Sequence, residues 1–274
     1  MRRLACCLLA SVVAFTNAAL AQDQPSPSGL HSVACIKLKP GKAREFREFS
    51  ADYTRKVMQA AADTGDFSGW YLVRSVFPLG SEARCDYFSV ITYKGTVPAP
   101  VGGQRLEAAL KKSGVAMTAD DYYAKRNSLT TLVSSEMWRT AIQIGAPEKG
   151  DYMYVNSMKV HSMTDWMELE QKVWKPMAES WIKDGGMRSW MVNRPVLPGG
   201  TDLKYQAMTI DVFPSWENTF KPRPVSDTFK KIHADKNMEA TFEKLSKSRD
   251  LARRELLHVE DKVVATGAAV VSQK

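Results

Sequence analysis

Cysteine, histidine and long apolar runs are what this chain has least of. Its 274 residues include only four cysteines and four histidines. The one sustained apolar run, Leu4 to Phe15, falls short of the ~20 residues a membrane-spanning helix needs. No membrane span is therefore expected. G-x-S-x-G, H-E-x-x-H, a P-loop and a glycine-rich dinucleotide turn are all missing. Hydrolase, zinc-protease, kinase and nicotinamide chemistry are set aside on that ground. Past the first 21 residues only Cys35 and Cys85 remain, and no histidine stands at ligand spacing from either. No metal centre is expected.

What is present describes a globular protein, 44% hydrophobic and 25% charged. The net charge is +8. Its basic residues are scattered, as at Lys111-Lys112, Lys230-Lys231 and Arg253-Arg254, without interleaved aromatics. That pattern is a solvated basic surface and argues against a nucleic-acid partner.

Residues 1–21 have the form of a signal peptide. Arg2 and Arg3 precede the apolar run, and Ala19-Leu20-Ala21 offers small residues before a cleavage point. The mature protein is expected in a periplasm or secreted. There, Cys35 and Cys85 either form a disulfide or stay as buried thiols.

The chain repeats itself. At a shift of 120 residues, Trp70 meets Trp190, Arg74 meets Arg194, Val76 meets Val196 and Pro78 meets Pro198. Upstream, Phe46, Phe49, Tyr53 and Val57 fall on Trp166, Leu169, Val173 and Met177, the apolar stripe of an amphipathic helix in both copies. Downstream, Tyr87 meets Tyr205, and Ser135-Glu136-Met137 meets Arg254-Glu255-Leu256. Such self-similarity at one period marks a duplicated structural unit.

The first copy reads as strand 31–38, helix 42–64, strands 69–77 and 86–93, helices 104–112 and 119–133, and strand 136–144. Thr118 with Asp121 forms a capping box for the second of those helices. The second copy reads as strand 152–160, helix 164–184, strands 189–197 and 205–213, a broken helix 226–257 and a last strand 261–265. Pro176 is expected to kink its helix. The organisation is a signal peptide (1–21), a flexible segment (22–30), a first repeat (31–145), a second repeat (151–265) and a flexible tail (266–274).

The order βαββαβ, twice, resembles the ferredoxin-like unit of the dimeric α+β barrel superfamily. That group includes antibiotic-biosynthesis-type and haem-degrading monooxygenases, chlorite dismutase-like proteins and NIPSNAP-like proteins. The segments W-x-x-x-R-x-V-x-P at 70–78 and 190–198 and VWKPM at 173–177 also look like exported bacterial proteins of this fold. The resemblance implies an α+β fold in which two fused repeats build a pseudo-dimeric barrel within one chain. A four-stranded sheet with helices on one face leaves the other face bare, and pairing two such sheets buries both. Further association into a homo-oligomer is left open.

The repeated polar and aromatic positions are the candidate ligand-binding residues. Strand alternation puts Trp70 with Arg74, and Trp190 with Arg194, on one face. An arginine among apolar neighbours needs a carboxylate, a carbonyl or a ligand. One reading is a pocket gripping an anionic or aromatic small molecule; the other is that each arginine pairs with an acid such as Glu136 or Glu255. Tyr87, Tyr205, Tyr154 and Asn156 join the set as strand residues able to orient a ligand. His233, on a late helix where the resembling haem enzymes carry an axial ligand, is the haem candidate, although its lysine-rich surroundings suit a solvated face. His258 with Glu255 has E-x-x-H spacing without further ligands. The expected function is small-molecule binding in a barrel pocket without a cofactor. The alternatives are a cofactor-independent monooxygenase or isomerase, and a haem binder.

Overall fold

The computed structural model describes residues 29–95, 97–98 and 103–266. The expected signal peptide lies outside those residues, as do the flexible segment up to position 28 and the tail beyond Thr266.

Eight strands form where the sequence alternates: β1 (Leu30–Leu38), β2 (Gly69–Phe77), β3 (Tyr87–Tyr93), β4 (Thr130–Ile144), β5 (Tyr152–Val160), β6 (Ser189–Leu197), β7 (Ala207–Phe213) and β8 (Arg249–Val264). They close a barrel in the order β1-β3-β2-β8-β5-β7-β6-β4, every neighbour antiparallel. Each half keeps the ferredoxin-like order, β4-β1-β3-β2 and β8-β5-β7-β6. The halves join at two seams, β2–β8 and β4–β6. Alternating directions round the barrel make β1 and β5 parallel, so the pseudo-twofold axis runs along the barrel.

The helices α1 (Ala43–Phe49) and α2 (Arg55–Asp63) cover the outside of the first half with α3 (Gln104–Ser113) and α4 (Ala119–Leu129). In the second half α5 (Met163–Leu169) and α6 (Lys175–Lys183) do so with α7 (Trp216–Phe220), α8 (Val225–Ile232) and α9 (Met238–Ser248). Three apolar clusters result. Phe46, Phe49, Val57 and Trp70 centre the first helix–sheet layer. Trp166, Met177, Trp190 and Phe229 centre the second. Val73, Phe88, Met153 and Val259 belong to the third, inside the barrel.

Two segments read as helical are strands. Thr130–Val133 begins β4 rather than ending a helix, and Arg249–Leu257 opens β8. Leu, Ala, Arg and Glu favour helix in isolation. Here the second segment pairs with β5 along its whole length, and sheet pairing overrides local preference. The π-helical turn Ser50–Thr54 recurs as Glu170–Trp174. Lys56 holds the position of Pro176 in the first copy, so the proline does not create this irregularity. It sits at the start of α6, where the missing N–H costs least. Thr118 caps α4 as expected, accepting from the Asp121 amide.

Candidate functional site

Strand alternation fixes which residues see the barrel interior. On β2, Tyr71 and Val73 point inward, while Trp70 and Leu72 pack under the helices. Trp70 is 1% exposed and gives its indole N–H to Ser89 Oγ at 2.8 Å. Trp190 is its counterpart in the second helix–sheet core. Arg74 pairs with Glu260 rather than with Glu136 or Glu255. Hydrogen bonds from His258 and Arg74 hold the Glu260 carboxyl down to about 2. Arg194 is exposed. Tyr87 stacks on Phe46 beneath the helices, with ring centroids 4.8 Å apart. Tyr154 and Asn156 are also on the helix side. The Arg254 guanidinium lies over the Tyr154 ring, and its Nε donates to Asn156 Oδ1 at 2.6 Å. Tyr205 lies 5.9 Å from the Arg84 guanidinium. Of the ten candidate residues, only Glu136 lines the interior cavity, and Glu255 shares the inward face of β8 with Leu257 and Val259.

The cavity occupies about 540 Å³ inside the barrel. Its walls are mostly apolar, with Val33, Val90, Met153, Met191, Met208 and Ile210 among them. The exposed residues Lys94, Gly95 and Gln143 border its mouth. Polar groups enter the wall at few points, and the most organised is a relay across three strands. His31 Nε2 on β1 bonds Thr140 Oγ1 on β4, which donates to Asn193 Oδ1 on β6 at 2.7 Å. With the threonine hydrogen given to Asn193, His31 Nε2 carries the hydrogen and Nδ1 is left as an acceptor. Nδ1 is buried and has no hydrogen-bond partner among the described residues. Burial holds the imidazole down to about 4, so it is neutral at physiological pH.

A second polar group closes the opposite end. Glu255, 2% exposed, receives Arg84 and Arg253, each at 3.2 Å. Arg84 comes from the turn between β2 and β3. Its neighbour Cys85 is disulfide-bonded to Cys35, which ties that turn to β1. Of the two outcomes the sequence left open for these cysteines, the structure takes the bonded one.

The haem candidate does not fit. His233 is buried instead of solvated, its Nε2 faces the Val173 carbonyl at 3.1 Å, and Phe229 packs against its ring. It lies in the outer helix layer, away from the cavity. Glu255 and His258 fall on opposite faces of a strand, which separates the E-x-x-H pair. No cluster of metal-ligating side chains occurs among the described residues. His31, Thr140, Asn193, Trp138 and Arg84 were missed in the sequence. For His31 the signal was there: it alternates with Val33 and Cys35. Asn193 needed the inward register of β6, which the repeated Trp190 and Arg194 drew attention away from.

No protein-family model and no curated protein matches the sequence. Solved structures do share its fold. A candidate monooxygenase from Fusobacterium nucleatum is 11% identical, with 87% of this chain and 95% of that one covered at a TM-score of 0.52. A candidate monooxygenase from Lactobacillus acidophilus is 14% identical, covering 86% and 96%, at 0.48. A haem-binding protein from Thermus thermophilus is 12% identical, covering 86% and 92%, at 0.43. The chain shares an α+β fold of two ferredoxin-like halves with the Fusobacterium protein. At these identities the likeness concerns the fold alone.

Proposed function

We propose that the barrel cavity binds one small, mainly apolar organic molecule, which donates a hydrogen bond to His31 Nδ1. One observation carries this reading: the wall of an apolar cavity of about 540 Å³ includes His31, whose buried Nδ1 has no hydrogen-bond partner among the described residues. Leaving such a group unpaired costs about 1–3 kcal/mol, and a ligand N–H or O–H removes that cost. Thr140 and Asn193 hold the ring so that the acceptor is set before the ligand arrives. Apolar walls with few convergent polar groups are the usual make-up of a small-molecule site.

Arg74 and Arg194, which had pointed to an anionic ligand, lie outside the cavity, and Arg84, which borders it, shares Glu255 with Arg253. The site acts after export, a reading supported by the signal-peptide pattern of residues 1–21 and by a disulfide that an oxidising compartment sustains. A second reading uses the same relay. A neutral imidazole oriented by a second group is the arrangement of a general base, so a cofactor-independent monooxygenase or isomerase would draw a proton from its substrate at Nδ1.

Titration with the neutral fluorophore N-phenyl-1-naphthylamine tests the binding site. Saturable binding of one molecule per chain is expected. His31→Leu should weaken it about 3–10-fold, the value of one hydrogen bond, and Met208→Trp, which puts an indole into the cavity, should weaken it as well. Binding that is non-saturable, or indifferent to Met208→Trp in a folded variant, would overturn the proposal.

A further inference from the structure

Glu136 and Glu255 are pseudo-symmetric mates with different surroundings. Glu136 stands opposite Val33 in the β1–β4 pair, as Glu255 stands opposite Val155 in the β5–β8 pair. Glu255 has two guanidinium partners, Arg84 and Arg253. At the position equivalent to Arg253 the first half has Ser134. No lysine, arginine or histidine comes within salt-bridge distance of Glu136 among the described residues. Its one hydrogen bond is from Trp138 Nε1, at 2.9 Å. Both halves have this carboxylate, and among the described residues only the one in the second half has a counter-charge.

The rest of the wall is asymmetric in the same sense. His31, Thr140 and Asn193 have Met153, Val259 and Val73 as their mates, so one side of the cavity carries the polar groups and the other is apolar. His31 faces Trp138 across the strand pair, and Glu136 lies two residues further along β4. Both acceptors therefore belong to one wall. Two cations also border the cavity. Arg84 is engaged by Glu255, and Lys94 stands exposed at the rim.

Resting on the binding site proposed above, we infer that the ligand is a cation: an organic ammonium on an apolar body, with Glu136 as its counter-ion and His31 Nδ1 as its second acceptor. Glu136 is half-buried in an apolar wall and has no cationic partner among the described residues, and the ammonium provides the missing charge. An ammonium carries several N–H donors, so it can serve both acceptors. The Trp138 ring in the same cavity favours a cation further, whereas Phe88 and Tyr71 already have Arg84 and Lys262 over them. With one polar wall, the ligand sits in one orientation, its apolar body against the methionines of the second half.

The test is competition on the intact protein. Three naphthalenes of similar shape displace N-phenyl-1-naphthylamine: 1-naphthylmethylamine, 1-ethylnaphthalene and 1-naphthaleneacetate. The amine is expected to compete at concentrations at least 10-fold lower than the neutral compound, and the carboxylate to compete most weakly. Glu136→Gln should bring the amine to within about 3-fold of the neutral compound, whose own affinity stays unchanged. Ser134→Arg supplies the guanidinium that the second half has, and should remove the amine preference while leaving Glu136 in place. Equal affinity of amine and neutral compound for the native protein would overturn the charge assignment and leave the binding site standing. So would an amine preference that survives both variants. Failure of all three compounds and of the fluorophore would overturn both.

Discussion

Glu170 shows how much a single residue's surroundings decide. It lies in the π-helical turn beneath the second helix layer, wholly buried, and burial pushes its carboxyl up to about 8 against the pull of Arg249. The folded chain therefore keeps a proton that the unfolded chain, with the ordinary value of 4.5, gives up. That stabilising difference is complete below pH 4.5 and is lost as pH rises through about 8. Glu170→Gln, which resembles the protonated acid, should match the native protein near pH 4.5. At pH 8.5 it should melt higher, by ~2–4 °C for each kcal/mol of that difference. Thermal melts across that pH range check it. At this scale the sequence was legible in part. Glu136 and Glu255 stood out because they repeat. Their unequal partners did not, because Arg84 reaches Glu255 across 171 positions of chain.

Elements were legible where local pattern and tertiary pairing agree. Strands β5 and β6 have the bounds their alternation predicts, and the long helices differ by a residue or so. Disagreement gathers at β4 and β8, the two long strands that leave their own sheet to pair with the other half. Their first residues read as helix, and only the partner strand makes them extended. The end of β4 carries the sharpest local constraint. Gly145 has φ +68°, and a Cβ there would come 2.5 Å from the Arg188 carbonyl oxygen and 3.0 Å from Ser189 Cβ. Backbone cannot yield at that distance. Gly145→Ala should cost about 2–4 kcal/mol, in the range of strained-backbone and overpacking substitutions. Urea unfolding monitored by far-UV circular dichroism measures it.

At the scale of the whole molecule, the two repeats share one barrel. The β2–β8 and β4–β6 seams are paired along most of their strands, with two register shifts each, and the cavity takes its walls from both halves. Neither half has its inner apolar face covered without the other. The protein should therefore unfold in guanidinium as one transition, with near-UV and far-UV signals superimposing. Two resolved transitions would mean that the halves are separately stable. The relay of His31, Thr140 and Asn193 crosses the β4–β6 seam, so loss of either half should remove the site as well.

The sequence by itself determined the duplication, the βαββαβ order and the apolar stripes of the two long helices. Each is written in periodicity, and periodicity is a local property of the chain. Only the tertiary structure decided which strand face looks into the cavity, and with it which polar residues form the site. Trp70 and Arg74 share a face, as alternation requires, but alternation does not say whether that face meets helices or cavity. That depends on how the second sheet closes against the first. The closure turns the inconspicuous His31 and Asn193 inward and leaves the repeated Trp–Arg pairs on the outside.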